Sequence, residues 1–90
     1  MRIEDQLANK IIEEQELIIG PIAWSEARKV NGLEIHNEKA KVAGQTKSVL
    51  DALVSRYARL FGEASVEVCK DATQPFLGKL PKAELPARLL

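Results

Sequence analysis

Apolar and polar residues along this chain follow two different periods. From residue 3 to 19, Ile3, Leu7 and Ile11 step by four, and Ile12, Leu17, Ile18 and Ile19 continue the stripe. Glu4, Asp5, Asn9, Lys10, Glu13, Glu14 and Glu16 occupy the other face, which predicts a helix with acidic groups near its positive end. Gly20-Pro21 then interrupts. Glycine stops a helix, and proline fits the first turn of the next one because its missing N–H costs nothing there. A second helix is expected from Pro21 to about Val30, with Ile22, Ala23, Ala27 and Val30 inward and Asn31-Gly32 closing it. A single helix kinked at Gly20 is the alternative.

Residues 33–43 change to period two. Leu33 and Ile35 alternate with Glu34 and His36, and Ala40 and Val42 alternate with Lys39 and Lys41. Asn37-Glu38 between them predicts a β-hairpin turn, for which Asn37 suits the left-handed conformation and Glu38 does not. Two lone strands are marginal in water, so this hairpin needs a helix behind it or strands of another subunit beside it.

The clearest helical stripe follows over residues 46–61: Val49, Leu50, Leu53, Val54, Tyr57, Leu60 and Phe61, with Thr46 as N-cap. Residues 63–74 extend it with Ala64, Val68, Cys69 and Ala72 inward, until Pro75 closes the helix. Pro81 and Pro86 predict an extended or weakly ordered tail, whose Leu80, Leu85, Leu89 and Leu90 can dock across the bundle. The expected fold class is mainly α (α+β): four helices as two helix–Gly–helix units, with a short hairpin at about 33–43 between them. One domain is expected over residues 1–76, with 77–90 as a Pro- and Leu-containing tail.

The two helical units echo one another. Aligning Gly20 with Gly62 places Ile11, Ile12, Ile18 and Ile19 on Leu53, Val54, Leu60 and Phe61, and Ala27 and Arg28 on Cys69 and Lys70. Such an echo points to packing and self-association rather than to a catalytic pocket.

Composition narrows the class. Only 4% of the 90 residues are aromatic against 46% apolar overall, so the core is aliphatic, which favours helix-on-helix packing. Thirteen basic and thirteen acidic residues give no net charge, against the positive excess typical of nucleic-acid binders. A lone cysteine forms no internal disulfide, which suits a reducing compartment. Acidic residues interrupt the N-terminus before any apolar run, and the longest such run, Leu17 to Trp24, contains Gly20 and Pro21. No secretory signal and no membrane span are expected, and the chain reads as soluble and cytoplasmic.

Catalytic chemistry finds little support. His36 is the only histidine and reads as solvated surface beside a turn. Cys69 shares a helix face with Val68 and Ala72 and reads as a small buried hydrophobe, without an activating base. Consecutive carboxylates at Glu13, Glu14 and Glu16 splay around one helix instead of converging on a cation. Gly20, Gly44 and Gly62 are isolated and form no phosphate loop. No catalytic, cofactor-binding or metal-binding residues are therefore assigned, and no small-molecule substrate is implied. Trp24, beside the Gly20-Pro21 break, is a candidate contact residue, since tryptophan is enriched at interfaces; a buried plug is the even alternative.

The segment IIGPIAWSEARKV, residues 18–30, resembles a short helical element in accessory C-terminal regions of bacterial signalling proteins, including some serine/threonine kinases. Ile18, Ile19, Gly20, Pro21, Ile22, Ala23, Arg28 and Lys29 match its apolar pair, Gly-Pro-Ile-Ala core and basic pair. Ser25 and Glu26 depart from its apolar stretch. The resemblance implies a non-enzymatic interaction or regulatory module and carries no catalytic residue.

The expected function is accordingly a protein–protein interaction or regulatory module that self-associates through its hairpin as a homodimer. Candidate interface residues are Trp24, Leu33, Ile35, Leu85, Leu89 and Leu90. A regulatory nucleic-acid binder using Lys47, Arg56 and Arg59 is the alternative. An enzyme with an unrecognised site is the third reading.

Overall fold

A computed structural model describes all 90 residues, Met1–Leu90. The element order is α1 (Ile3–Ile19), α2 (Ile22–Ala27), β1 (Leu33–His36), β2 (Lys39–Val42), α3 (Thr46–Phe61) and α4 (Glu63–Thr73). Three short 3-10 turns follow, at Gln74–Phe76, Lys82–Glu84 and Ala87–Leu89. The chain is mainly helical, with one antiparallel hairpin between the two helical pairs. Helix α1 is central: it packs against α4, α2 and β2, and α3 lies against α4 and α2.

Both glycine breaks separate helices, and they share one geometry. Gly20 has φ 78° and ψ −162°; Gly62 has φ 85° and ψ −173°. This region of backbone space is essentially restricted to glycine. At each break the glycine N–H donates to the carbonyl four residues back, Glu16 at 2.9 Å and Ala58 at 2.8 Å. Each glycine carbonyl then accepts from the residue three ahead, Ala23 at 3.0 Å and Ser65 at 3.1 Å. The sequence echo is therefore a repeated helix–Gly–helix corner.

The hairpin pairs Leu33 with Val42, Glu34 with Lys41, Ile35 with Ala40 and His36 with Lys39. Both turn residues are left-handed, Asn37 at φ 50° and Glu38 at φ 55°, as a two-residue type I′ connection requires. Glu38 adopts this conformation despite its Cβ.

A helix stands behind the hairpin, and it also closes one of its edges. The Ala40 N–H donates to Asn9 Oδ1 at 2.8 Å, and Asn9 Nδ2 donates to the Ala40 carbonyl at 2.8 Å. Next along β2, the Val42 N–H donates to Asp5 Oδ1 at 2.7 Å, and Arg2 donates to the Val42 carbonyl. Two α1 side chains and that of its N-cap, Arg2, thus replace a third strand. That explains why Asp5 and Asn9 are buried though polar: each satisfies backbone groups that would otherwise lack partners away from water.

Several sequence expectations change. Helix α2 stops at Ala27, not Val30, and residues 28–30 form turns bonded back to Trp24, Glu26 and Ala27. The N-cap of α3 is Gln45 rather than Thr46, and it makes no side-chain capping bond. The tail is not extended. Leu80, Leu85 and Leu89 join the same 22-residue buried cluster as α1, α3 and α4, so the tail docks on the helices through these three side chains. Prolines 81 and 86 each start a 3-10 turn that aims the following leucine inward.

Candidate interaction surface

Of the six interface candidates, the structure places four in the core. Trp24, Leu33, Leu85 and Leu89 are 4%, 7%, 1% and 0% exposed. Leu33 faces inward from β1, and the two tail leucines fill the seam that the aliphatic helices leave for them. Ile35 is half-buried against the core, and Leu90 is exposed at the chain end. These residues are not brought together into one surface.

The hairpin's remaining free edge is β1. Its ladder partners are Glu34 and His36, so the backbone groups of Ile35 and the carbonyl of Leu33 face away from β2. No protein group bonds them, in contrast to the Asn9-, Asp5- and Arg2-covered edge of β2.

A different surface carries the exposed apolar residues. Leu17 is 80% exposed, Ile18 63%, Leu60 50%, Ile22 43% and Phe61 36%. All five lie within three residues of Gly20 or Gly62. Ile18, Leu60 and Phe61 continue buried stripes by helical period, but the helices end there and nothing packs over them. Periodicity cannot register where a helix runs past its neighbour. Ala64 and Ile22, also expected inward, are exposed for the same reason.

The fold brings the two corners side by side. Ile18 and Ile19 from the first, with Phe61, Ala64, Ser65 and Val68 from the second, line an open groove of about 270 Å³. That lies below the range usual for small-molecule sites. Beneath it, Gln15 is fully buried and donates to the Ser65 carbonyl at 2.9 Å and to Cys69 Sγ at 3.3 Å, tying α1 to α4.

The titratable groups considered for chemistry are dispersed. Cys69 is fully buried, and burial pushes its thiol up to about 11, which leaves negligible thiolate at neutral pH. His36 is exposed on the hairpin. Glu13 is exposed, and Glu14 pairs with Lys10 at 3.5 Å. No three His, Cys, Asp or Glu side chains are grouped to hold a metal ion. Burial also raises the Tyr57 hydroxyl, which donates to the Ala23 carbonyl at 2.6 Å and pins α3 to α2.

Sequence reasoning missed Glu26. Its carboxylate accepts from Lys29 at 3.1 Å and from Arg56 at 2.9 Å, linking α2 to α3. Lys29 first and Arg56 second hold its pKa below the ordinary value. Arg56 is thereby engaged within the fold.

No helix is long and apolar enough to cross a membrane. Comparison with protein-family models, with curated proteins and with solved structures finds no match.

Proposed function

We propose that this chain is a non-enzymatic protein–protein interaction module whose contact surface is the paired glycine corner. One observation carries the reading. Of seven exposed large hydrophobic residues, five gather at Gly20 and Gly62, and the other two, Met1 and Leu90, are chain ends. Grouped apolar exposure of this kind marks interaction surfaces, whereas single exposed residues mean little. The resemblance of residues 18–30 to accessory elements of bacterial signalling proteins agrees with this class and falls on the same corner. The nucleic-acid reading is weaker, because Arg56 is committed to Glu26 and the corner's neighbouring charges are mostly acidic.

The test uses the tagged chain as bait beside its Ile18→Gln/Leu60→Gln variant. The variant should fold normally and lose the partners that the wild-type chain captures. Capture of the same partners by both chains would overturn the assignment of this surface.

A second reading, self-association through the hairpin, is favoured by the open β1 edge. An antiparallel pair centred on Ile35 sets Glu34 opposite His36 of a second copy, whereas centring on Glu34 sets carboxylate against carboxylate. Ile35→Pro removes an outward N–H and leaves the β1–β2 ladder intact. Sedimentation should then show a dimer for the wild-type chain and a monomer for the variant. A wild-type monomer at all concentrations would rule this reading out.

A further inference from the structure

The groove at the glycine corner has a charge pattern as well as an apolar floor. Along α1, Glu14 precedes the groove-lining Ile18 by four residues on the same face, whereas Glu13 precedes Leu17, which lies off the groove, and turns with Lys10 and Lys39 toward a separate hollow. Along α4, Glu67 follows Ala64 and Asp71 follows Val68 by three residues, which repeats the arrangement on the opposite bank. Glu63 stands at the start of α4 beside the corner. Among these, Glu14 alone has an ion-pair partner, Lys10; Glu13, Glu63, Glu67 and Asp71 are exposed and pair with no cation. The nearby cations point elsewhere: Lys70 is about 200° from Val68 around α4, and Arg59 is about 200° from Phe61 around α3.

We infer that this groove receives an amphipathic helix of a partner protein, with aliphatic side chains on one edge and lysine or arginine on the flank that meets α4. The inference rests on the interaction reading above and names the partner's chemistry. The floor supplies the apolar contact typical of helix-in-groove recognition. The unpaired α4 carboxylates Glu67 and Asp71 select a cationic flank, because complementary charge steers association while like charge opposes it. The same pattern disfavours a second copy at this site. A two-fold contact whose axis crosses the groove would set the acidic α4 bank against itself.

The test titrates the chain with two synthetic helical peptides of the same leucine spacing, one flanked by lysines and the other by glutamates, followed by fluorescence anisotropy. The lysine-flanked peptide should bind at least tenfold more tightly, an advantage that added salt reduces. Ala64→Arg, which fills the groove, should abolish binding. Glu67→Lys with Asp71→Lys, both at exposed positions, should remove the preference for the lysine-flanked peptide. Equal binding of the two peptides would overturn the cationic partner and leave the contact surface standing. Binding of neither peptide, or binding unaffected by Ala64→Arg, would overturn the helix-in-groove assignment. A wild-type dimer that Ala64→Arg converts to a monomer would make the occupant a second copy and overturn it as well. Partner capture repeated with Ala64→Arg reads the contact surface independently of peptide charge: loss of the partners supports the surface even where the peptides fail.

Discussion

The two ends of α1 are built in opposite ways. At its N-terminal end, polar side chains are buried and satisfied: Asp5 and Asn9 bond the β2 backbone, and Leu7, Ile11 and Ile12 are fully covered. At its C-terminal end, Leu17 and Ile18 stand in solvent beside Gly20. One helix therefore seals a strand edge with buried polar atoms at one end and displays apolar side chains at the other, with buried Gln15, bonded to α4, between them. Burial of a polar group costs free energy unless it is bonded, so the closed end is organised for the fold. Largely exposed aliphatic side chains add little to the fold's stability, so the open end is available for a partner.

The strongest way to break this contrast is to truncate side chains along a single stripe. Leu53→Ala, at a fully buried position of α3, should cost about 2–5 kcal/mol in urea denaturation. Leu60→Ala, two turns further along but half exposed, should stay within about 0.5 kcal/mol. Equal losses would place the corner inside the core.

The closed end can be opened at one residue. Asn9→Ala leaves the Ala40 N–H and carbonyl without partners at a buried edge, which should destabilise by about 2–3 kcal/mol. Hydrogen exchange at Ala40 should accelerate more than at Lys41, whose backbone pairs with Glu34. Unchanged exchange at Ala40 would mean that Asn9 does not hold the edge.

The corners themselves test the repeated geometry. Gly20→Ala and Gly62→Ala add a Cβ that meets nothing within 4 Å, so any loss is backbone strain alone. Each should cost about 1–3 kcal/mol. D-alanine, introduced at either position by chemical synthesis, should be tolerated, since it accepts positive φ. Stabilisation by L-alanine would indicate a continuous helix.

The smallest expected effect is a pH dependence between α2 and α3. The Glu26 pKa is lowered in the fold from its ordinary value of 4.5, so the unfolded chain binds that proton more readily. The Lys29 and Arg56 interactions therefore contribute above that pH and are lost as pH falls through the folded value. The stability difference between wild type and Glu26→Gln should shrink on acidification below about pH 4.5. A difference constant with pH would detach Glu26 from the acid response.

Much of the architecture was legible in the residues themselves. Stripes of period 3.6 marked α1 and α3 to their ends, the change to period two marked the hairpin, and the glycine echo marked both interruption points while leaving break or bend open. The surface was less legible. Ile18, Leu60 and Phe61 fit their stripes as well as Ile11 or Leu53 do; only the packing of one helix against another decides which stripe positions are covered. Trp24 illustrates the converse: an aromatic beside a break reads equally as a contact residue or as a buried plug until the chain wraps over it. The tail leucines belong to the same problem, since proline spacing signals extended chain while burial is set by a seam made from distant helices.

If the corner residues serve contact and not folding, removing their apolar character leaves the fold's stability unchanged. Urea denaturation of Ile18→Gln/Leu60→Gln tests it most directly. The expected unfolding free energy lies within about 0.5 kcal/mol of wild type per substitution. A loss on the scale of a core truncation, about 2 kcal/mol or more per site, would contradict it and return both residues to the core.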